Sequence, residues 1–227
     1  RSTLFPYTTL FRSRDGYPGN IEVKVTYTLT DENALQITYE ATTDKATVLN
    51  LTNHCYFNLS GDASKDCLDE ILTLDADSIT AVDADVAVTG EVLAVEGTPF
   101  DFRTETAIGD RIDDTSSEQI MNGKGYDHNW ILNTKGDITK AFGTLYDPNS
   151  GIFMEMFTGQ PGVQFYAGNF LDGSFVGKKG VKYPRRSAFC FESQHYPDSP
   201  NHPEWPSTTL RPGEKYFTTT IYKFSTK

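Results

Sequence analysis

Between residues 21 and 39 the chain reads IEVKVTYTLTDENALQITY, two alternating runs on either side of the polar break Thr30-Asp31-Glu32-Asn33. Alternation sends successive side chains to opposite faces of an extended strand, and the polar break is where the chain can reverse, so this segment predicts an antiparallel hairpin. Further alternating or β-rich runs recur at residues 47–59, 71–74, 128–132, 142–146, 152–157, 163–166, 189–192 and 216–224, each bounded by Gly, Pro, Asn or Asp. No stretch carries a long 3.6-residue period, and no fixed-length repeat, low-complexity tract or linker-like break divides the chain. Many short strands with frequent turns predict an all-β fold, and 227 residues suit one large antiparallel β-sandwich better than two domains.

Charge and cysteine usage narrow the partners. With 20 Lys+Arg against 31 Asp+Glu the net charge of −11 repels a polyanion, and no Lys/Arg-rich run builds a local phosphate patch, so nucleic acid is not expected as a partner. No apolar run approaches the roughly 20 residues of a membrane-spanning helix, so the expectation is a soluble chain with no membrane partner. Cys55, Cys67 and Cys190 are odd in number and lack a CxxC pairing, which points away from a disulfide framework and towards a reducing cytoplasm; a secreted or periplasmic location stays open. Oligomeric state is not readable from the sequence.

The opening is unusual. RSTLFPYTTLFRS, residues 1–13, starts on arginine and holds no acidic residue. Its loose alternation suits an edge strand, yet all of it matches one reading frame of a widely used sequencing adapter. Residues 1–13 are therefore expected to be a non-native, adapter-derived segment, with residues 14–227 forming the C-terminal two-thirds of a single β-sandwich domain whose N-terminal strands are missing.

Four stretches could carry chemistry. In VLNLTNHCYFNL, residues 48–59, a continuous strand would turn Leu49, Leu51, Asn53, Cys55, Phe57 and Leu59 one way and Asn50, Thr52, His54, Tyr56 and Asn58 the other. The second face collects an imidazole, amides, a hydroxyl and an aromatic ring, the mixture that hydrogen-bonds and stacks on a sugar, although a histidine such as His54 is often only structural. Glu192 in SAFCFESQHYPDSPN shares a face with Cys190 and Gln194; a carboxylate in an apolar strand is costly unless paired or functional, and an ion-paired surface residue is the plainer alternative. Asp127 in GKGYDHNWIL opens a strand, a position that turn aspartates also occupy. Gln164 and Tyr166 in PGVQFYAGNFLDG share a face between glycines that allow close backbone approach, or else mark a turn-bounded core strand.

Other features take the plainer reading. Asp75, Asp77, Asp83 and Asp85 lack the ligand spacing and turn glycine of a calcium loop, and read as solvated surface. His195 and His202 have no third ligand at metal-site spacing, so no metal is expected. There is no G-x-S-x-G, Walker loop or GxGxxG. The turn-rich stretches 172–184 and 196–207 read as long loops, where binding chemistry tends to sit.

Taken together and in order, NLTNHCYFNLSG, GTPFDFR, GYDHNWIL, PGVQFYAGNFLDG and FCFESQHYPDSPN resemble the aldose 1-epimerase (galactose mutarotase) family from Asp15 to Phe224. The resemblance implies a galactose mutarotase-like β-sandwich, His54 as general acid, Glu192 as general base, and Asp127 and Gln164 as ligands of sugar hydroxyls. It implies an isomerase that interconverts the α and β anomers of free galactose or glucose without a cofactor. It also implies that an arginine, an asparagine and a second histidine, which family members carry upstream of GYPG, are missing here, which puts the activity of this chain in question. Three alternatives stand beside it: a non-catalytic carbohydrate-binding β-sandwich; a glycoside hydrolase using Asp127 and Glu192 as its two carboxylates; and a relative acting on hexose 6-phosphates through Lys178, Lys179, Arg185 and Arg186.

Overall fold

The computed structural model describes residues 3–11, 16–177 and 180–227. Residues 12–15, where the adapter-like opening meets the rest of the chain, lie outside the described residues, as do Arg1, Ser2, Lys178 and Lys179.

The strands run β1 (Thr3–Phe11), β2 (Ile21–Leu29), β3 (Ala34–Thr43), β4 (Thr47–Val48), β5 (Tyr56–Phe57), β6 (Ile71–Leu74), β7 (Ala76–Val82) and β8 (Val88–Ala94). After β9 (Thr106–Ala107) comes a short helix, α1 (Glu118–Gly123), then β10 (Asp127–Leu132), β11 (Ala141–Tyr146), β12 (Ile152–Thr158) and β13 (Gly162–Tyr166). The chain finishes with β14 (Phe189–Gln194), β15 (Thr209–Leu210) and β16 (Tyr216–Thr226). They form an eight-stranded sheet in the order β1-β2-β3-β16-β12-β11-β6-β9, a six-stranded sheet in the order β5-β14-β13-β10-β7-β8, and a small β15-β4 pair. The expected hairpin is β2–β3, paired from Ile21↔Thr43 to Leu29↔Leu35. Strand β1 pairs with β2 along its length, from Thr3↔Leu29 to Phe11↔Ile21. Among the described residues no helix is long and apolar enough to cross a membrane.

One apolar core lies between the two large sheets. The six-stranded sheet sends in Trp130, Val163, Phe165, Phe189 and Phe191, and the eight-stranded sheet answers with Ile37, Leu72, Leu74, Phe142, Met154, Met156 and Tyr222. Rings dominate the contact: Phe165 stacks on Phe191 at 5.1 Å with an interplanar angle of 8°, and Trp130 lies 5.9 Å from Phe165. Large aromatic faces bury much area per residue and hold preferred geometries, so they fix which side of each strand turns inward.

One expectation needs correction. The run 47–59 is not one strand: only its ends pair, as β4 and β5. Between them, side-chain amides take the place of ladder bonds. Asn50 Nδ2 donates to the His195 carbonyl while Asn50 Oδ1 accepts the His195 N–H. Asn53 Nδ2 donates to the Tyr222 hydroxyl. Such local competition is why asparagine-rich runs leave a regular sheet. The acidic residues are solvated surface as expected, with Asp75, Asp77, Asp83 and Asp85 all exposed; Asp77 lies within β7, and Asp83 turns the chain into β8 by accepting the N–H groups of Asp85 and Ala87 on Oδ1.

Tyr222 ties the layers together. Its hydroxyl, buried in the core, donates to the Phe191 carbonyl of β14 at 2.7 Å and accepts from Asn53 Nδ2 at 3.1 Å. Tyr222→Phe keeps the ring but strands both partners, and is expected to lower stability by about 1–3 kcal/mol. Urea unfolding checks this: the midpoint should fall with the slope unchanged, and a midpoint within error of wild type would show that the tie is dispensable.

Candidate active site

The face of the six-stranded sheet turned away from the core is polar because of its register. Glu192 of β14 stands opposite Gln164 of β13, Gln164 opposite Asn129 of β10, and Asn129 opposite Thr80 of β7. A neighbouring row runs from Tyr56 through Cys190 and Tyr166 to Asp127. Because side chains alternate with a period of two, a strand that points Phe165 or Phe191 inward must point Gln164 or Glu192 outward. These rows floor a cavity of about 490 Å³ whose walls include His54, Tyr56, Asp127, Gln164, Tyr166 and Glu192. All four residues singled out from the sequence, His54, Asp127, Gln164 and Glu192, therefore meet in one place. A larger cavity of about 680 Å³ beyond Tyr56, lined by Phe175, Val176 and Tyr183, holds none of the four.

His54 and Glu192 stand side by side at this cavity. His54 Nε2 lies 3.3 Å from Glu192 Oε1; the histidine side chain is half exposed at the cavity mouth, and the glutamate is largely buried. Burial pushes the Glu192 carboxyl up to about 6, with the nearby Asp127 charge pushing the same way and His54 opposing. The far side of the imidazole touches Cys190, whose Sγ lies 3.2 Å from His54 Nδ1. Burial, with help from Glu192, pushes the Cys190 thiol well above its usual range. With Nδ1 turned to Cys190, Nε2 is the nitrogen that faces Glu192 and the cavity. Tyr56 and Tyr166 pack against the ring at 5.1 and 5.9 Å and hold its plane.

Asp127 and Gln164 form a second pair, with Gln164 Nε2 donating to Asp127 Oδ1 at 2.8 Å. Burial raises the Asp127 carboxyl, while the Gln164 bond and His54 lower it. The pair presents an amide and a carboxyl side by side, a fork able to grip hydroxyls. A nitrogen of His54, the Cys190 sulfur and a Glu192 oxygen lie within 4.8 Å of one another, close enough to share a metal ion. The imidazole, however, stands between thiol and carboxylate and turns Nδ1 to Cys190 and Nε2 to Glu192, so no single ring nitrogen faces both.

Several residues expected on this face are elsewhere. Asn50 and Asn58 do not reach the cavity: Asn50 is bonded to the His195 backbone, and Asn58 Nδ2 donates to the Ser187 and Asp62 carbonyls. Thr52 is also absent from the cavity lining. Arg186, one of the cations named for a phosphate-binding alternative, is buried and bidentate on Asp113 at 2.7 Å. Arg185 reaches the Asn169 and Lys124 carbonyls. His128 points into the core against Phe100, its Nδ1 accepting the Asp127 N–H, and burial pushes it down to about 3. His202 stacks on Trp205 at 4.1 Å. Sequence reasoning missed Asn129, Val82, Val86, Val88 and Pro197, all of which line the cavity. For Asn129 the signal was present, since it follows Asp127 by one period of the same strand.

Known proteins share this fold. A family model described as aldose 1-epimerase matches residues 2–223. Human galactose mutarotase is 46% identical over 212 residues, covering 93% of this chain and 59% of the human protein. The aldose 1-epimerase of Escherichia coli K12 is 40% identical over 212 residues, covering 92% of this chain and 60% of its own length. Among solved structures, an aldose epimerase homologue from C. elegans superposes with a TM-score of 0.85 at 30% identity, covering 98% of this chain and 66% of that one. Galactose 1-epimerase from Lactobacillus acidophilus gives a TM-score of 0.86 at 29% identity, with 99% and 63% covered. The chain thus spans about three-fifths of the length of the relatives it matches in sequence. On the match across nearly its whole length, the chain belongs to the aldose 1-epimerase family.

Proposed function

We propose that this protein interconverts the α and β anomers of a free aldose, with galactose and glucose as the first substrates to try, by general acid–base opening and reclosure of the pyranose ring. The observation that carries the reading is the approach of His54 Nε2 and Glu192 Oε1 to 3.3 Å at one cavity, beside the Asp127–Gln164 fork. The names of the relatives, galactose mutarotase and aldose 1-epimerase, support it.

Glu192 takes the proton of the C1 hydroxyl as His54 protonates the ring oxygen, and the C1–O5 bond breaks to leave an open-chain aldehyde. The C1–C2 bond rotates, and the same two groups, now with exchanged protons, reclose the ring on the other face. A carboxyl lifted to about 6 is a stronger base than an ordinary glutamate and is still mostly ionised at neutral pH. Asp127 and Gln164 hold ring hydroxyls so that C1 stays over Glu192 while the ring opens. Side chains suffice for this chemistry, and no cofactor is needed. The three free cysteines fit a reducing compartment such as the cytoplasm.

Polarimetry of freshly dissolved α-D-galactose or α-D-glucose tests the reading. The protein should speed the approach to equilibrium rotation, and Glu192→Gln and His54→Asn should each slow it by about 10²–10⁴-fold while sugar binding survives. Near-normal rates in either variant would remove that residue from the mechanism, and sugar bound by the wild type without turnover would favour a non-catalytic binding role. Since the base must be ionised, kcat/KM should fall about tenfold per pH unit below about 6, the value to which Glu192 is lifted. A profile flat down to the ordinary glutamate range would contradict the assignment.

A further inference from the structure

The row of side chains that carries Glu192 and Gln164 does not end at Gln164. Asn129 stands next in register and also lines the cavity. It is 1% exposed, and neither its amide nitrogen nor its amide oxygen has a hydrogen-bond partner among the described residues. An amide carries two donors and an acceptor, and burying all of them unpaired costs stability. Folds retain such a group where a ligand supplies the partner. The neighbouring strand makes room for it: a Cβ at Gly162 would lie 2.6 Å from Asn129 Oδ1, so any larger residue there would press on the amide. Half-buried Gln164 leaves its Oε1 unpartnered as well, having committed Nε2 to Asp127, so two neighbouring amides offer unused polar atoms along the cavity floor.

Resting on the aldose reading above, we propose that Asn129 is a further sugar-binding residue, donating to and accepting from a ring hydroxyl on the edge remote from C1. His54 and Glu192 occupy the edge formed by C1 and the ring oxygen. Strands in a sheet lie about 4.8 Å apart, so Asn129, on the second strand from Glu192, faces the opposite edge of a pyranose, where the C3 and C4 hydroxyls stand. An amide that both donates and accepts can hold a hydroxyl in either role, and a site built this way discriminates strongly against a sugar that lacks the group. Asn129 would thereby weigh on the choice between sugars that differ at C3 or C4.

The test crosses a protein deletion with a ligand deletion. Binding of D-galactose and its 2-, 3-, 4- and 6-deoxy derivatives is measured by calorimetry or saturation-transfer NMR for the wild-type chain, Asn129→Ala and Asn129→Ser. Each variant should bind D-galactose about tenfold more weakly, the worth of one good hydrogen bond. The loss should persist for the 2- and 6-deoxy sugars and vanish for the 3- or the 4-deoxy sugar, because there the partner is already gone. The thermal midpoint of unliganded Asn129→Ala should equal or exceed that of wild type, since no internal hydrogen bond is lost. An equal loss for all five sugars, no loss for galactose, or a lowered midpoint with uniform losses would overturn the proposal and leave Asn129 a packing residue. A wild-type chain that binds none of the sugars would overturn the aldose reading and the proposal with it, and the wild-type arm alone separates that failure from the others.

Discussion

The antiparallel register of β10, β13 and β14 is the constraint on which the rest depends. It aligns Asn129, Gln164 and Glu192 in one row and Asp127, Tyr166 and Cys190 in the next. A slip of one residue in any of these strands would send its polar residues into the core and its aromatic residues into the cavity. The register is pinned from the other side of the sheet, where Trp130, Phe165 and Phe191 are fully buried. The geometry of the candidate site is thus a consequence of core packing: the rings that hold the two sheets together also determine where the carboxyl of Glu192 points. The Tyr222 hydroxyl adds a polar tie from the opposite sheet to the backbone of Phe191, next to that glutamate.

Assembling the site carries an electrostatic cost. Glu192 and Asp127 are both lifted above the ordinary carboxylate range, chiefly by burial, and each charge raises or lowers the other groups around it. For Glu192 the sign of the linkage follows directly. A carboxyl whose folded value is raised to about 6 contributes its full share to stability below the unfolded glutamate range, and loses it as pH rises through about 6. At neutral pH the fold therefore holds an ionised group that it would hold more easily protonated, and the imidazole of His54 offsets part of that cost. Cys190 contributes through orientation: its sulfur meets one imidazole nitrogen and leaves the other facing the glutamate.

Much of the sheet was legible in the sequence because alternation is a local property. The β2–β3 hairpin, β6 and the cores of β10 to β14 follow directly from the pattern of apolar residues. The run 47–59 misled because its asparagines satisfy backbone and hydroxyl groups far away in the chain, at His195, Ser187 and Tyr222, and no local rule reveals those partners. Strands β7 and β8 were obscured by flanking aspartates, and α1, with six residues, is too short to show a helical period. The site was legible in pieces. Each of His54, Asp127, Gln164 and Glu192 had a plain structural alternative on its own, and it was the order of the motifs that joined them. Asn129 and the Cys190–His54 contact depended on knowing which strands are neighbours, information that sits in long-range pairing.

The central claim is that the sheet delivers a preorganised acid–base pair in which burial has already tuned the glutamate. Titrating the Glu192 side-chain carboxyl by 13C NMR, in the wild type and in His54→Asn, tests it without reference to turnover. The account expects a midpoint near 6 in the wild type, and a higher one once the imidazole that holds it down is removed. A midpoint in the ordinary glutamate range, unmoved by the loss of His54, would contradict it.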